Sequence, residues 1–236
     1  MKREIYADAA ALARAAADDF ISLVSSSTST FNVALSGGST PRALFDELAS
    51  RGRAALPWER VHLWWGDERA VPPEHPESNY GLAKARLIDP LGIEVAQIHR
   101  MEGERPPGEA AAAYETAMLA ALGGPPVFDL IWLGLGPDSH TASLFPGSEA
   151  LAEKSHYVVG NTVDSPLAGG RAMRVTLTFP AIALARHVRF LVAGHDKALA
   201  VERVSAGADE KYPASLVTGE DVVWMLDRAA AAKMEG

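Results

Sequence analysis

Residues Gly134 to Ser148 read GLGPDSHTASLFPGS, so Asp138, Ser139, His140 and Thr141 stand in succession directly behind an apolar run. An imidazole is the side chain best poised for proton transfer near neutral pH, and a carboxylate two residues earlier can orient it. A second stretch, SGGST at residues 36–40, places Gly37, Gly38, Ser39 and Thr40 ahead of a helix start. Glycines let main-chain N–H groups approach a ligand, and the unpaired amides and dipole of the helix end favour an anion such as phosphate. The same residues also read as a plain capped turn, with Ser39 or Thr40 satisfying the helix end.

A third stretch, GDER, sets Asp67, Glu68 and Arg69 on a turn straight after an apolar strand candidate. The planar fork of Arg69 suits a carboxylate, a phosphate or a developing oxyanion, whereas an isolated DER also reads as a surface ion-pair cluster. Lys197 in AGHDKALA and Arg174 opening RVTLTFPAI are further cations that either neutralise a phosphate or sit in solvent. Among the other histidines, His62 and His187 read as strand or surface residues and His75 lies in a proline-rich loop. His195, near a helix start, could reach the same cleft.

Several chemistries lack their residues. The chain has no Cys, which removes thiolate nucleophiles, disulfides and Cys-based metal sites and fits a reducing cytoplasm. There is no G-x-S-x-G elbow, so Ser139 and Ser143 have no hydrolase nucleophile position. Neither HExxH nor GxxxxGK[ST] occurs, and GLGPDS breaks GxGxxG at its last position. No metal and no cofactor are expected.

Elements must carry these groups to one place. FNVAL (31–35), VHLWW (61–65), FDLIWLGLG (128–136), HYVVG, RVTLTF, VRFLVAG and DVVWML are strand candidates. Helical stretches lie between them, among them PRALFDELAS with Pro41 placed at a first helical position and ESNYGLAKARLI with Ser78 or Asn79 at its cap. Strand–helix alternation predicts a mostly parallel sheet covered by helices. Ligands in such sheets bind beyond the carboxyl ends of the strands, where SGGST, GDER and GPDSHTAS would all project. Trp64, Trp65, Trp132 and Trp224 are expected in the core. The segment AVPPEHPESNY reads equally as a mobile cover or an ordered turn.

Composition fits this picture. The chain has 236 residues, 48% of them hydrophobic and 22% charged, with a net charge of -8. That balance disfavours nucleic acid and anionic membranes as bulk partners, while local groups still set the field inside a cleft. No apolar run approaches the roughly 20 residues needed to span a bilayer.

Taken together, LSGGSTPRALF, WWGDERAVPPEHPESNYGLAKARLI, FDLIWLGLGPDSHTASLFPGS, RVTLTFPAIALARHVRFLVAGHDKA and VVWMLDRAAAA resemble the 6-phosphogluconolactonases. The resemblance covers almost the whole chain. It implies one α/β domain over 1–236, a Rossmann-like three-layer α/β/α fold with a mostly parallel sheet, similar to glucosamine-6-phosphate deaminase. It implies metal-independent hydrolysis of a phosphosugar lactone, 6-phospho-D-glucono-1,5-lactone, in the oxidative pentose phosphate pathway. The expected partner is that small molecule alone, with no nucleic acid and no membrane, and the chain is expected in the cytoplasm as a monomer or small homo-oligomer.

Carried over by position, Gly37, Gly38, Ser39 and Thr40 would cradle the phosphate, with Arg174 and Lys197 adding charge. Asp67 and Arg69 would border the lactone, Arg69 stabilising charge, and His140 would be the general base with Asp138 and Ser139 shaping its loop. The deaminases share the glycine loop but carry MDEY where this chain has GDER, and GHIAFNEP where it has SHTASLFP. A deaminase or isomerase of the same fold, or a non-catalytic sugar-phosphate binder, is the competing reading. The lactonases place Gly between Asp and His, where this chain has Ser139. If that backbone is left-handed, serine costs about 1–2 kcal/mol, and activity is expected to persist.

Overall fold

The computed structural model describes residues 1–165 and 170–234. Its strands are β1 (Lys2–Tyr6), β2 (Phe31–Leu35), β3 (Val61–Trp65), β4 (Asp67–Arg69), β5 (Leu130–Leu133), β6 (Val158–Ser165), β7 (Gly170–Leu177), β8 (His187–Val192) and β9 (Asp221–Asp227). The helices are α1 (Ala9–Ser26), α2 (Ser39–Arg51), α3 (Asn79–Ala83), α4 (Asp89–Leu91), α5 (Pro107–Leu122), α6 (Phe179–Ala183) and α7 (Ala198–Ser205).

Six strands form a parallel sheet in the order β1-β9-β8-β5-β2-β3. All four residues of β5 are buried, which explains why its sequence is a continuous apolar run rather than an alternating one. Helix α1 is capped by Asp8, whose Oδ1 accepts from Ala11 N at 2.8 Å. It turns Leu12, Ala16, Phe20 and Val24 into the core, where Phe20 packs edge-on against Trp132 at 5.1 Å between ring centroids. The four tryptophans expected in the core are all buried, and Trp58 joins them. The mostly parallel α/β fold is the one expected.

Three details differ from expectation. Helix α2 begins at Ser39, so Pro41 is its third residue and not its first. The position still lies in the first turn, where the missing N–H has no partner to lose. The GDER stretch is not a turn: Asp67–Arg69 form β4, which pairs antiparallel with β7, and β7 pairs antiparallel with β6. RVTLTF and HYVVG therefore belong to a second, three-stranded sheet instead of extending the first. The chain crosses between sheets at Gly66, whose N–H donates to Leu35 O at 2.9 Å and whose carbonyl accepts from Leu177 N at 2.8 Å.

The direction of strand addition reverses between β2 and β5. From β2 the chain proceeds to its neighbour β3 on one side, while β5 is followed by β8 and β9 on the other. Such a switch point leaves a crevice at the carboxyl ends of the strands. The loops after β2 and β5 flank it.

Candidate active site

A cavity of about 280 Å³ opens at this switch point. Its walls include Ser36, Gly37 and Gly38 after β2, Asp67 and Arg69 on β4, Asn79 on α3, Gly134 to Pro137 and His140 after β5, Arg174 on β7 and Lys197 before α7. Six separate stretches of the chain thus meet in one place. Ser39 and Thr40 do not line the cavity; they are the first two residues of α2, and the cap position is Gly38, which supplies no side-chain bond. The amides at this helix end are therefore left to an anion or to solvent, not to a serine cap.

The loop after β5 is tightly wound. Gly136 N donates to His140 O at 2.9 Å, Ser139 N donates to Gly136 O at 2.9 Å, and Thr141 Oγ1 donates to Gly134 O at 2.9 Å. This folds the His140 ring back over Gly136, where a Cβ would lie 2.1 Å from Nδ1. Only glycine fits under the ring. The imidazole also stacks on Phe145, with centroids 3.9 Å apart and planes at 18°. His140 Nδ1 lies 2.5 Å from Asp138 Oδ1, and the His140 main-chain N–H donates to the same oxygen at 3.1 Å. Burial pushes the Asp138 carboxyl up, but the His140 ring and main-chain N–H bonds outweigh it and hold the group below the usual carboxylate range. An ionised Asp138 fixes the proton on Nδ1, which leaves Nε2, with no protein partner among the described residues, as the free basic lone pair.

Ser139 sits at φ 68° and is fully buried, with no hydrogen-bond partner for its Oγ among the described residues. The left-handed backbone anticipated for this position is present, and Ala142 at φ 48° is a second such residue in the same loop. Non-glycine residues in this region cost about 1–2 kcal/mol each and cluster where the surrounding structure over-determines the backbone. Ser139 O accepts from Ala214 N at 2.9 Å, which helps pin the loop.

The same cavity is lined by three cations, Arg69, Arg174 and Lys197. Arg69 and Arg174 are ladder partners on β4 and β7, and Lys197 completes the set beside Asp196, 3.1 Å away. Burial and the charge of Arg69 both push the Arg174 guanidinium below its ordinary pKa. A chain of net charge -8 has therefore concentrated positive charge in one cleft. Two guanidiniums that share one cavity, neither ion-paired to a carboxylate among the described residues, are stabilised by an incoming anion.

Asp67 lines the cavity as expected, yet its carboxylate is occupied. Oδ2 accepts from Ser143 Oγ at 2.7 Å and Oδ1 from Asn79 Nδ2 at 3.2 Å, and the side chain is almost wholly buried. Ser143, considered in the sequence only as a nucleophile, spends its hydroxyl on this bond, and its carbonyl accepts from Asn161 Nδ2 at 2.8 Å. Asn79 also donates to Asp67 O at 2.9 Å and lies so close over Gly37 that a Cβ there would be 1.8 Å from Oδ1. Sequence reasoning missed Asn79, Phe145, Gly136 and Ser36 as wall residues. For Asn79 the signal was present in SNY but was absorbed by its reading as a helix cap.

Among the described residues no helix is long and apolar enough to cross a membrane, and no group of three His, Asp or Glu side chains could hold a metal ion.

The comparisons with known proteins follow the same lines. The family model described as glucosamine-6-phosphate isomerases/6-phosphogluconolactonase matches residues 7–224. A 6-phosphogluconolactonase of Synechocystis sp. is 42% identical over 211 residues, covering 86% of this chain and 84% of its own. The solved 6-phosphogluconolactonase of Trypanosoma cruzi superposes with a TM-score of 0.88 at 30% identity, over 100% of this chain and 97% of that one. A monomeric glucosamine-6-phosphate deaminase shares the fold at a TM-score of 0.85 and 22% identity, covering 99% of this chain and 100% of its own. The chain belongs to the glucosamine-6-phosphate isomerase/6-phosphogluconolactonase family.

Proposed function

We propose that the chain, working as one α/β domain in the cytoplasm, hydrolyses 6-phospho-D-glucono-1,5-lactone to 6-phospho-D-gluconate, the lactonase step of the oxidative pentose phosphate pathway. The observation that carries this reading is the Asp138–His140 pair at 2.5 Å, whose imidazole lines one cavity together with Arg69 and Arg174. A δ-lactone is an activated ester held in a ring, so water activated by a base suffices and no covalent nucleophile is needed.

The phosphate is received by the Gly37–Gly38 turn with the first amides of α2, beside Ser39 and Thr40, and by Arg174 and Lys197. Its binding energy serves orientation of the distant lactone carbon. His140 Nε2 takes a proton from water as the oxygen attacks C1. Asp138 holds the tautomer and stabilises the imidazolium. Arg69 stabilises the oxyanion of the tetrahedral intermediate. The imidazolium then returns its proton to the departing ring oxygen, which opens the ring and regenerates the base. Asp67 borders the lactone from behind, keeping the Ser143 loop and Asn79 in place.

Incubation with freshly prepared lactone, and in parallel with glucosamine 6-phosphate, tests the assignment. Rapid acid release from the lactone and none of ammonia from the amino sugar is the expected result. Ammonia release would assign the chain to deamination, and tight binding of 6-phosphogluconate without turnover would make it a sugar-phosphate binder.

A further inference from the structure

We propose that Glu68 is a positioning residue for the reaction: it fastens both ends of the loop at residues 70–77 and thereby holds the Arg69 guanidinium against the cavity. The proposal rests on the lactonase reading of this pocket.

Glu68 is 2% exposed, and both of its oxygens are fully engaged. Oε1 accepts from Arg69 N and Asn79 N, each at 2.8 Å. Oε2 accepts from Tyr80 N at 2.8 Å and from Ser78 Oγ at 3.0 Å. One carboxylate therefore grips the strand end on β4 and the start of α3, which are separated by the whole proline-rich loop. Three of these donors are main-chain N–H groups that can only donate, so a side chain offering fewer acceptors leaves a buried amide unpaired.

The connection to Arg69 is direct. Arg69 Nη1 donates to the main-chain carbonyl of Glu77, the residue immediately before the gripped segment. Arg69 needs such a hold, because its ladder partner Arg174 repels it. When the start of α3 is released, the Glu77 carbonyl moves, and the guanidinium loses its main-chain anchor. Asn79, tied to Asp67 through Nδ2, is the second knot in the same segment. Glu68 does not line the cavity, so it acts through Arg69 and not on substrate.

A double-mutant cycle on lactone hydrolysis reads this out. Glu68→Gln is expected to lower kcat about 10- to 100-fold, the scale of a small misplacement of a catalytic group, with KM changed far less. In an Arg69→Ala background the same substitution is expected to cost nothing further. An equal fold-loss in both backgrounds would overturn the proposal, since a general loss of structure acts whether or not Arg69 is present. If Glu68→Gln lacks the circular dichroism of the folded chain, Ser78→Ala runs the same cycle with one donor removed. A smaller kcat loss confined to the Arg69-containing chain supports the proposal; no loss, or an equal loss in both backgrounds, overturns it. A starting chain that neither hydrolyses the lactone nor binds 6-phosphogluconate instead refutes the lactonase reading itself.

Discussion

Arg69 and Arg174 face one another across the β4–β7 ladder, and their side-chain hydrogen bonds go to main-chain carbonyls of Glu77 and Met173 rather than to carboxylates. Under the proposed mechanism the pair is expected to divide the labour of the site. Arg174→Gln should raise KM about tenfold, as expected for losing one charge-assisted contact to a phosphate, with kcat nearly unchanged. Arg69→Lys keeps the charge but loses the fork, and should lower kcat. Steady-state kinetics on both variants checks the split; a KM effect from Arg69 and a kcat effect from Arg174 would reverse the assignment.

Removing the base should be costly without loosening the anion. His140→Ala is expected to lower kcat by about 10²–10⁴, the usual worth of a general base. Affinity for inorganic phosphate, measured by calorimetry, should stay as in the parent chain. Asp138→Asn leaves the ring in place on Phe145 and Gly136 but permits the wrong tautomer, so it should also depress kcat. Normal turnover in His140→Ala would remove this residue from the mechanism.

Ser139 combines a left-handed backbone with a buried hydroxyl that has no partner among the described residues. Ser139→Gly relieves both, against the larger entropy that glycine retains in the unfolded chain, and should stabilise the fold by about 1 kcal/mol. Urea denaturation measures this. Lactone turnover should persist in the parent chain; an inert parent rescued by glycine would show that the serine distorts the loop.

A histidine pair outside the cavity lining predicts acid sensitivity. His62 Nδ1 and His99 Nε2 are 2.8 Å apart, and His99 stacks on Trp64 at 3.9 Å. Burial lowers the pKa of both, and with the proximity of His62 it takes His99 down to about 4. The folded state thus binds these protons more weakly than the unfolded chain. Stability from the pair is complete above the ordinary histidine pKa of about 6.5 and is lost as pH falls through it toward 4. Melting temperature should drop over that interval, and His99→Phe, which keeps a ring on Trp64, should flatten the drop. An unchanged slope in that variant would place the acid sensitivity elsewhere.

Much of this was legible in the chain because it is locally encoded. β3 runs from Val61 to Trp65 as read, and the glycine loop and His140 loop each follow a strand because apolar runs end where they do. What escaped was tertiary. β4 is three residues long, too short to show any period, and it exists only because β7 arrives from about a hundred residues away to pair with it. For the same reason Asp67 read as a bordering carboxylate, while its oxygens are claimed by Ser143 and Asn79, which no spacing rule connects to it. Glu68 looked like one more surface acid in DER and is among the most buried charges in the protein.

The crossing at Gly66 has a further consequence. His140 and the Gly37–Gly38 turn ride on the large sheet, whereas the Arg69 and Arg174 guanidiniums ride on the small one, so any slide of one body past the other alters the reach between His140 and Arg69. The buried Ser143–Asp67 bond crosses that seam at 2.7 Å and works as a dowel. Re-equipping this frame for another phosphosugar would mean exchanging the surroundings of Arg69 on the three-stranded piece while leaving the dowel, Arg174 and the Gly37–Gly38 turn untouched.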